Sequence, residues 1–556
     1  MVDSAYSFSI EAIETIETIE TIDSIEAIKA IDPIEAIEAI DPIEAIEPID
    51  PMISIKPYKL KMKKIFTLLA AILLAAPMLA GSNVQRPKLV VGLMVDQMRW
   101  DYLYYYYPQF GTDGLRRLVD EGYSYENTLI NYVPTVTAVG HSSVYTGSVP
   151  ALTGIAGNNF VKDGKQVYCC DDDNVRSVGS NSKEGKMSPR NLLASGIGDQ
   201  LRIATDFKGK VIGIALKDRA AILPAGHAAN AAYWWDQSAG HFITSSYYMK
   251  ELPKWVKDIN KKIQTKPGTN VKTSVPGVTK TFQMAEAAID GEQLGQDSIT
   301  DLLAMSVSST DAIGHQYGTR GQENHDVYME LDRQVGLFLK FLDEKVGRGN
   351  YLLFLTADHG AAHNPNFLKA HNLPSGGLDT WGKDSWLNSR LPQLEKETGI
   401  SPLVTGVDAG RIYLNRAAIA KSGKKLADVK QQMIETLEQD SNIFYVVDYD
   451  KVLTTSLPSR LREMIVNGYN KKRSGDLFYV PRPDWEDVSN AADYRGTSHG
   501  LWNPTDAHIP FVLFGWQIPH GQTAEPTHIV DIAPTICELL HIQMPNECIG
   551  DAKLPK

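Results

Sequence analysis

At 556 residues the chain exceeds the size at which one hydrophobic core stops growing, so a large domain with insertions, or two domains, is expected. Its 43% hydrophobic and 22% charged residues are ordinary for a globular protein. The formal charge of -12 sits almost wholly in residues 1–61, where 14 Asp or Glu face 4 Lys; the remainder carries only -2, which excludes a general nucleic-acid binder with its basic stripe.

Four cysteines are too few for a disulfide-built scaffold. Adjacent Cys169 and Cys170 are poorly placed to bridge each other, and Cys537 and Cys548 allow either a disulfide or two buried thiols.

From Ile10 to Ile49 an isoleucine recurs at every third position. A three-residue step turns about 300° on a helix, so these residues wind around the axis without forming a stripe, and Pro33, Pro42 and Pro48 interrupt further. Residues 1–61 are therefore expected to be a disordered acidic extension, or to precede a natural start at Met62. Residues 62–80 read as a secretory signal peptide: Lys63 and Lys64, the apolar run Ile65 to Ala76, then Pro77 and a small-residue exit at Ala80. The run is too short for a comfortable membrane span, which points to an exported, periplasmic protein with no transmembrane anchor.

Lys88 to Val95 is a continuous apolar run of the kind that fits a strand buried on both faces, and it ends on Asp96. A helix is expected through Ser142 and Ser143, then a second buried strand over Lys210 to Leu216. Lys250 to Gly277 reads as irregular. Leu302 to Ser308 and Tyr351 to Ala357 are again buried strands, with a helix between them that carries Val327, Leu331, Val335, Phe338 and Leu342 on one face and has Gly347 beyond its end. The stretch 403–493, rich in Tyr, Pro and Asn-Gly, interrupts this pattern as an inserted cap. His508 to Trp516 and a helix over Ala533 to Leu540 resume it. Strand, helix, strand is the unit of an α/β fold with a central, mostly parallel sheet flanked by helices, spanning 86–549.

In such sheets ligands gather outside the carboxyl ends of the strands. Here those ends carry Asp96, Asp311 with His315, and Asp358 with His359, while His499 lies between two glycines in Gly496-Thr-Ser-His499-Gly500. Three Asp and three His form the nitrogen and oxygen set that suits zinc and divide naturally into two sites. A lone Asp-His pair is usually a solvated loop pair; recurrence at successive strand ends is what points to metal. Two metals call for a nucleophile, and Thr137, in Val133-Pro-Thr-Val-Thr137-Ala-Val-Gly-His141, precedes the expected helix, where the dipole and a metal would lower the hydroxyl pKa. An ordinary N-cap threonine is the plainer reading of that residue alone.

The series Asp96-Gln-Met-Arg-Trp-Asp, Thr137-Ala-Val-Gly-His, Gly154-Ile-Ala-Gly-Asn158, Lys217-Asp-Arg219, Thr310-Asp311-x-x-Gly-His315, Ala357-Asp358-His359-Gly-Ala-Ala and Gly496-Thr-Ser-His499 resembles the monomeric PafA-type alkaline phosphatases. The resemblance implies zinc-dependent hydrolysis of small phosphate monoesters through a phosphothreonine on Thr137. It implies two Zn2+, one on Asp311, His315 and His499, the other on Asp96, Asp358 and His359 with Thr137 as its reactive ligand. Asn158, Lys217 and Arg219 would grip the phosphoryl oxygens, the last two from one face of a strand. The Lys250 to Lys280 segment is shorter than in that family, so the cap should differ.

Thr137 in place of a modifiable Cys or Ser argues against a sulfatase. Phosphoglycerate mutases use serine, and phosphoethanolamine transferases carry membrane helices that this chain lacks. A nucleotide pyrophosphatase/phosphodiesterase is the alternative, because that branch shares threonine and the six ligands; a metal-binding protein without catalysis is a third reading.

Overall fold

The computed structural model describes residues 85–162, 164–380 and 385–556, so the acidic extension and the leader lie outside the described residues. The apolar runs become strands β1 (Leu89–Val95), β2 (Val211–Ala215), β3 (Ala231–Asp236), β4 (Asp301–Val307), β5 (Tyr351–Thr356) and β6 (Phe511–Gly515). Residues buried on both faces have no solvent side to mark with polar residues, which is why these runs lack alternation. In space the order is β6-β5-β1-β4-β2-β3, with shorter strands at both edges. Neighbours from β5 to β3 pair in parallel.

The principal helices are α1 (Thr137–Thr146), α2 (Asp218–Ala225), α3 (Val275–Glu292), α4 (Ser309–Tyr317), α5 (Gln322–Leu342) and α6 (Ile532–Leu539). Every residue of α1 is buried, and the helix ends on Gly147 in the left-handed conformation. Close approach to β5 requires Gly140: a methyl group there would lie 2.1 Å from the Asp358 carbonyl oxygen.

Three local expectations are corrected. The stretch 250–277 contains a helix, Lys254–Ile263, whose buried Val256, Asn260 and Ile263 recur at helical spacing but are masked in sequence by four lysines. The run His508 to Trp516 breaks at Pro510, with His508–Ile509 joining a small three-stranded sheet and β6 adding antiparallel to β5. Lys217 and Arg219 are not on a strand: β2 ends at Ala215, Lys217 is the N-cap position of α2 and Arg219 lies in its first turn.

Residues 404–481 contain a four-stranded antiparallel sheet of Val404–Asp408, Arg411–Leu414, Leu477–Pro481 and Ile443–Asp448. It has its own apolar core, including Leu403, Ile412, Val429, Met433 and Leu437, and draws Leu378 and Trp386 from earlier in the chain. Buried Arg411 ties this sheet to the main body, donating to the carbonyl oxygens of Ala156 and Asn159 and pairing with Asp408. Gly157 leaves room for it, since a methyl group there would lie 2.1 Å from Arg411 Nη2.

Gly140→Ala should destabilise the protein by about 1–3 kcal/mol, because a rigid helix must move off a rigid strand end. Urea unfolding of the two proteins measures this directly.

Candidate metal centre and nucleophile

Four adjacent strands deliver the site. Asp96 follows β1, Lys217 follows β2, Asp311 and His315 lie one turn apart on α4 after β4, and Asp358 and His359 follow β5. Asp96, Asp311, Asp358 and His359 are almost wholly buried. Each parallel strand must end at the same edge of the sheet, so four chain segments far apart in sequence converge there.

The imidazoles are held by backbone. His315 Nδ1 lies 2.9 Å from the Thr497 carbonyl oxygen, His499 Nδ1 2.7 Å from that of Thr135, and His359 Nδ1 2.9 Å from that of Gly360. A carbonyl only accepts, so each Nδ1 carries the hydrogen and each Nε2 presents a lone pair. His315 Nε2 and His499 Nε2 face each other at 3.3 Å, and both face Asp311 Oδ1, at 3.2 and 3.5 Å. Acceptors turned toward one point without a donor between them are what a cation site requires.

A second point of convergence lies beside the first. Asp96 Oδ1, Asp358 Oδ2 and His359 Nε2 are buried and make no hydrogen bond. His359 Nε2 is 3.3 Å from Asp358 Oδ2 and 3.7 Å from Asp96 Oδ1. Burial lowers the His359 pKa to about 3 against the pull of Asp358, so its ring is neutral. Burial and Asp358 push the Asp96 carboxyl well above the usual carboxylate range, with Lys217 opposing. The donor set fits two borderline divalent ions such as zinc.

Three close groupings of ligand atoms occur among the described residues: Asp311 with His315 and His499, Asp96 with Asp358 and His141, and Asp96 with Asp311 and His359. His141 was only a motif member in the sequence. Its Nδ1 lies 2.9 Å from Thr137 O and 3.2 Å from Asp358 Oδ2, while Nε2 lies 2.8 Å from Ser306 Oγ. Both His141 nitrogens thus have hydrogen-bond partners in Thr137 O and Ser306 Oγ, and the ring stands beside Asp358 Oδ2 without bonding to it. A histidine four residues after Thr137, on one helix face with it, was the sequence signal.

Thr137 is the first residue of α1, after extended Val136, and its side chain caps nothing. The free N–H of Ala138 is satisfied instead by Asn158 Oδ1 at 2.9 Å. That removes the plain capping reading of Thr137 and brings Asn158 beside the hydroxyl. Lys217 Nζ lies 3.4 Å from Thr137 Oγ1 and 2.6 Å from both Asp96 Oδ2 and Asp311 Oδ2. Arg219 is not drawn into this cluster: its Nη1 donates to Tyr168 Oη at 3.1 Å, and that hydroxyl donates to Asp218. A cavity of about 250 Å3 adjoins His315, His499 and Asn158 and is closed by Leu378, Asp408 and Tyr479 of the second core and its sheet.

A family model described as type I phosphodiesterase/nucleotide pyrophosphatase matches residues 90–502. Alkaline phosphatase PafA of Elizabethkingia meningoseptica is 41% identical, covering 87% of this chain and 97% of that one. The chain belongs to the PafA-type alkaline phosphatases. Crystal structures of alkaline phosphatase PafA superpose with a TM-score of 0.80, covering 85% of this chain and 99% of theirs. One is a variant with a threonine, an asparagine, a lysine and an arginine replaced. The first two stand as far apart as Thr137 and Asn158, and the last two are separated by one residue, as are Lys217 and Arg219. A Myroides odoratus protein named a calcium-transporting ATPase is 45% identical, covering 85% of this chain and 95% of that one. Among the described residues no helix is long and apolar enough to cross a membrane.

Among the described residues, Lys217 is the cation that pairs with two of the three carboxylates at this site, Asp96 and Asp311. Lys217→Met should therefore destabilise the metal-free protein by about 3–5 kcal/mol, as expected when a buried ion pair loses one partner. With zinc restored the loss should shrink. Urea unfolding with chelator and with excess zinc reads both.

Proposed function

We propose that this alkaline phosphatase hydrolyses small phosphate monoesters with two zinc ions and Thr137 as nucleophile, and that a phosphothreonine is the intermediate. The observation that carries the reading is the Thr137 hydroxyl, engaged in no cap and set at a helix N-terminus 3.4 Å from a buried lysine. Asp311, His315 and His499 would hold one ion, Asp96, Asp358 and His359 the other. Bound there, the ions would supply Lewis acidity toward the nucleophile and toward the leaving oxygen.

The protein's own groups do the rest. The N-terminal dipole of α1 and the Lys217 ammonium both favour loss of the Thr137 Oγ1 proton to water, from which the departing alkoxide in turn takes one. Thr137 Oγ1 then attacks phosphorus in line, and the ester oxygen departs on the opposite side. Asn158, its Oδ1 held by Ala138 N–H, has its NH2 group for a phosphoryl oxygen. Lys217 supports a second oxygen, and Arg219 a third after leaving Tyr168. Water attacks the phosphothreonine from the side the alcohol left and returns Thr137. The subdomain at 403–493 acts as a cap over the leaving-group side, its residues closing the cavity beside His315 and His499.

Export to the periplasm belongs to the same proposal and rests on the leader-like sequence at 62–80, while a monomeric state rests on the family resemblance alone.

Thr137→Ala should abolish hydrolysis of p-nitrophenyl phosphate and keep its zinc, with Thr137→Ser active. Acid-quenched wild type should carry a phosphate on Thr137 by mass spectrometry. Turnover by the alanine variant at the wild-type rate would refute the nucleophile. Replacing Lys217 and Arg219 together by alanine should cost monoesters orders of magnitude more in kcat/KM than bis-p-nitrophenyl phosphate, because a diester has one fewer charged oxygen. Equal losses would favour a diester hydrolase.

A further inference from the structure

We propose that Gln97 is a positioning residue that locks the two metal half-sites together and sets the rotation of the Asp311 carboxylate. The inference rests on the two-zinc reading of this site. Gln97 follows Asp96 directly and is buried, and its φ of +66° places it in the left-handed region that residues with a side chain seldom adopt. Its surroundings hold the turn: Met98 N–H donates to Val95 O at 3.1 Å, and Thr310 Oγ1 donates to Asp96 O at 2.6 Å.

This conformation lets one residue serve both half-sites. The Gln97 N–H donates to Asp358 Oδ1 at 3.1 Å, while Nε2 donates to Asp311 Oδ1 at 2.8 Å. Because a carboxylate only accepts, the NH2 end of the amide must be the end facing Asp311. The other end, Oε1, lies against Gly314, where a methyl group would come within 1.9 Å of it. That contact gives the glycine of Thr310-Asp311-x-x-Gly314-His315 a reason: it makes room for the amide of Gln97.

The two half-sites depend on Gln97 unequally. Asp311 Oδ2 is taken by Lys217, and Oδ1 is the oxygen that faces His315 and His499. Without the Gln97 amide, nothing but Lys217 fixes the carboxylate plane, which can then swing Oδ1 out of the imidazole pair. Asp358 Oδ1 has a second donor, the His359 N–H at 3.0 Å, so its orientation survives. Loss of the amide should weaken the ion at Asp311, His315 and His499 and spare the ion at Asp96, Asp358 and His359.

Gln97→Met keeps the length and the backbone conformation and removes only the amide; Gln97→Gly accepts the left-handed backbone without any side chain. The experiment is zinc titration against a competing chelator, with the occupancy of each half-site read by anomalous scattering from crystals of wild type and variants. Both variants should lose about 10–100-fold in affinity at the Asp311 half-site alone, the size of effect seen when a supporting hydrogen bond to a metal ligand is removed. Gly314→Ala should reproduce the selective loss by displacing Oε1. The proposal is overturned if Gln97→Met, or Gln97→Gly should the methionine variant not fold, binds both ions like wild type or loses both in parallel. A wild-type protein that never holds two ions would instead overturn the two-zinc reading on which this one stands.

Discussion

Three carboxylates and a set of lone-pair nitrogens are forced together at the buried edge of one sheet, and the rest of the molecule is organised around the repulsion this creates. Asp96, Asp311 and Asp358 are nearly inaccessible to water, where unscreened like charges interact far more strongly than at a surface. The protein answers with one buried lysine, which touches Asp96 and Asp311 but not the orphaned oxygens of Asp96 and Asp358. A metal cofactor bound there would complete the balance. A site built this way has its affinity for metal stored in the fold as electrostatic tension.

The same arrangement orients the chemistry. The imidazoles of His315, His359 and His499 are each fixed by a carbonyl, and Thr135, two residues before Thr137, supplies one of them. Thr135 Oγ1 also donates to Leu501 O and accepts from Gly500 N–H, so the loops carrying Thr137 and His499 are stitched together. Movement of Thr137 relative to His499 is thereby restrained. Arg473 donates to the carbonyl oxygens of Gly154 and Asn191, and Arg411 to those of Ala156 and Asn159, fixing the loop that presents Asn158 from the subdomain side.

Lys217 and Arg219 differ in how far the fold has committed them. Lys217 is pinned among carboxylates; Arg219 stands on Tyr168 with buried Nε lacking a partner. The first is fixed by two carboxylates, and the second by a single phenol.

Apolar runs located β1, β2, β4 and β5, two of them ending directly on an acid, because a strand buried on both faces must be apolar throughout and must stop where the polar site begins. Motif order then carried family membership. What sequence did not carry were features fixed by contacts between distant segments. The helix Lys254–Ile263 was hidden because lysines surround its narrow buried stripe, and Pro510 split a run that reads as one strand, since β6 pairs antiparallel to β5 while His508–Ile509 pairs elsewhere. The disulfide question at Cys537 and Cys548 also fell to the structure, where both are free thiols. The sequence by itself determined which side chains could ligate metal and which hydroxyl could attack, because those follow from residue type at strand and helix ends. Only the tertiary structure decided that His141 bonds Thr137 O and Ser306 Oγ beside Asp358, that Arg219 rests on Tyr168, and that Gln97 bonds both Asp358 and Asp311, because each depends on distances between atoms that chain order leaves unconstrained.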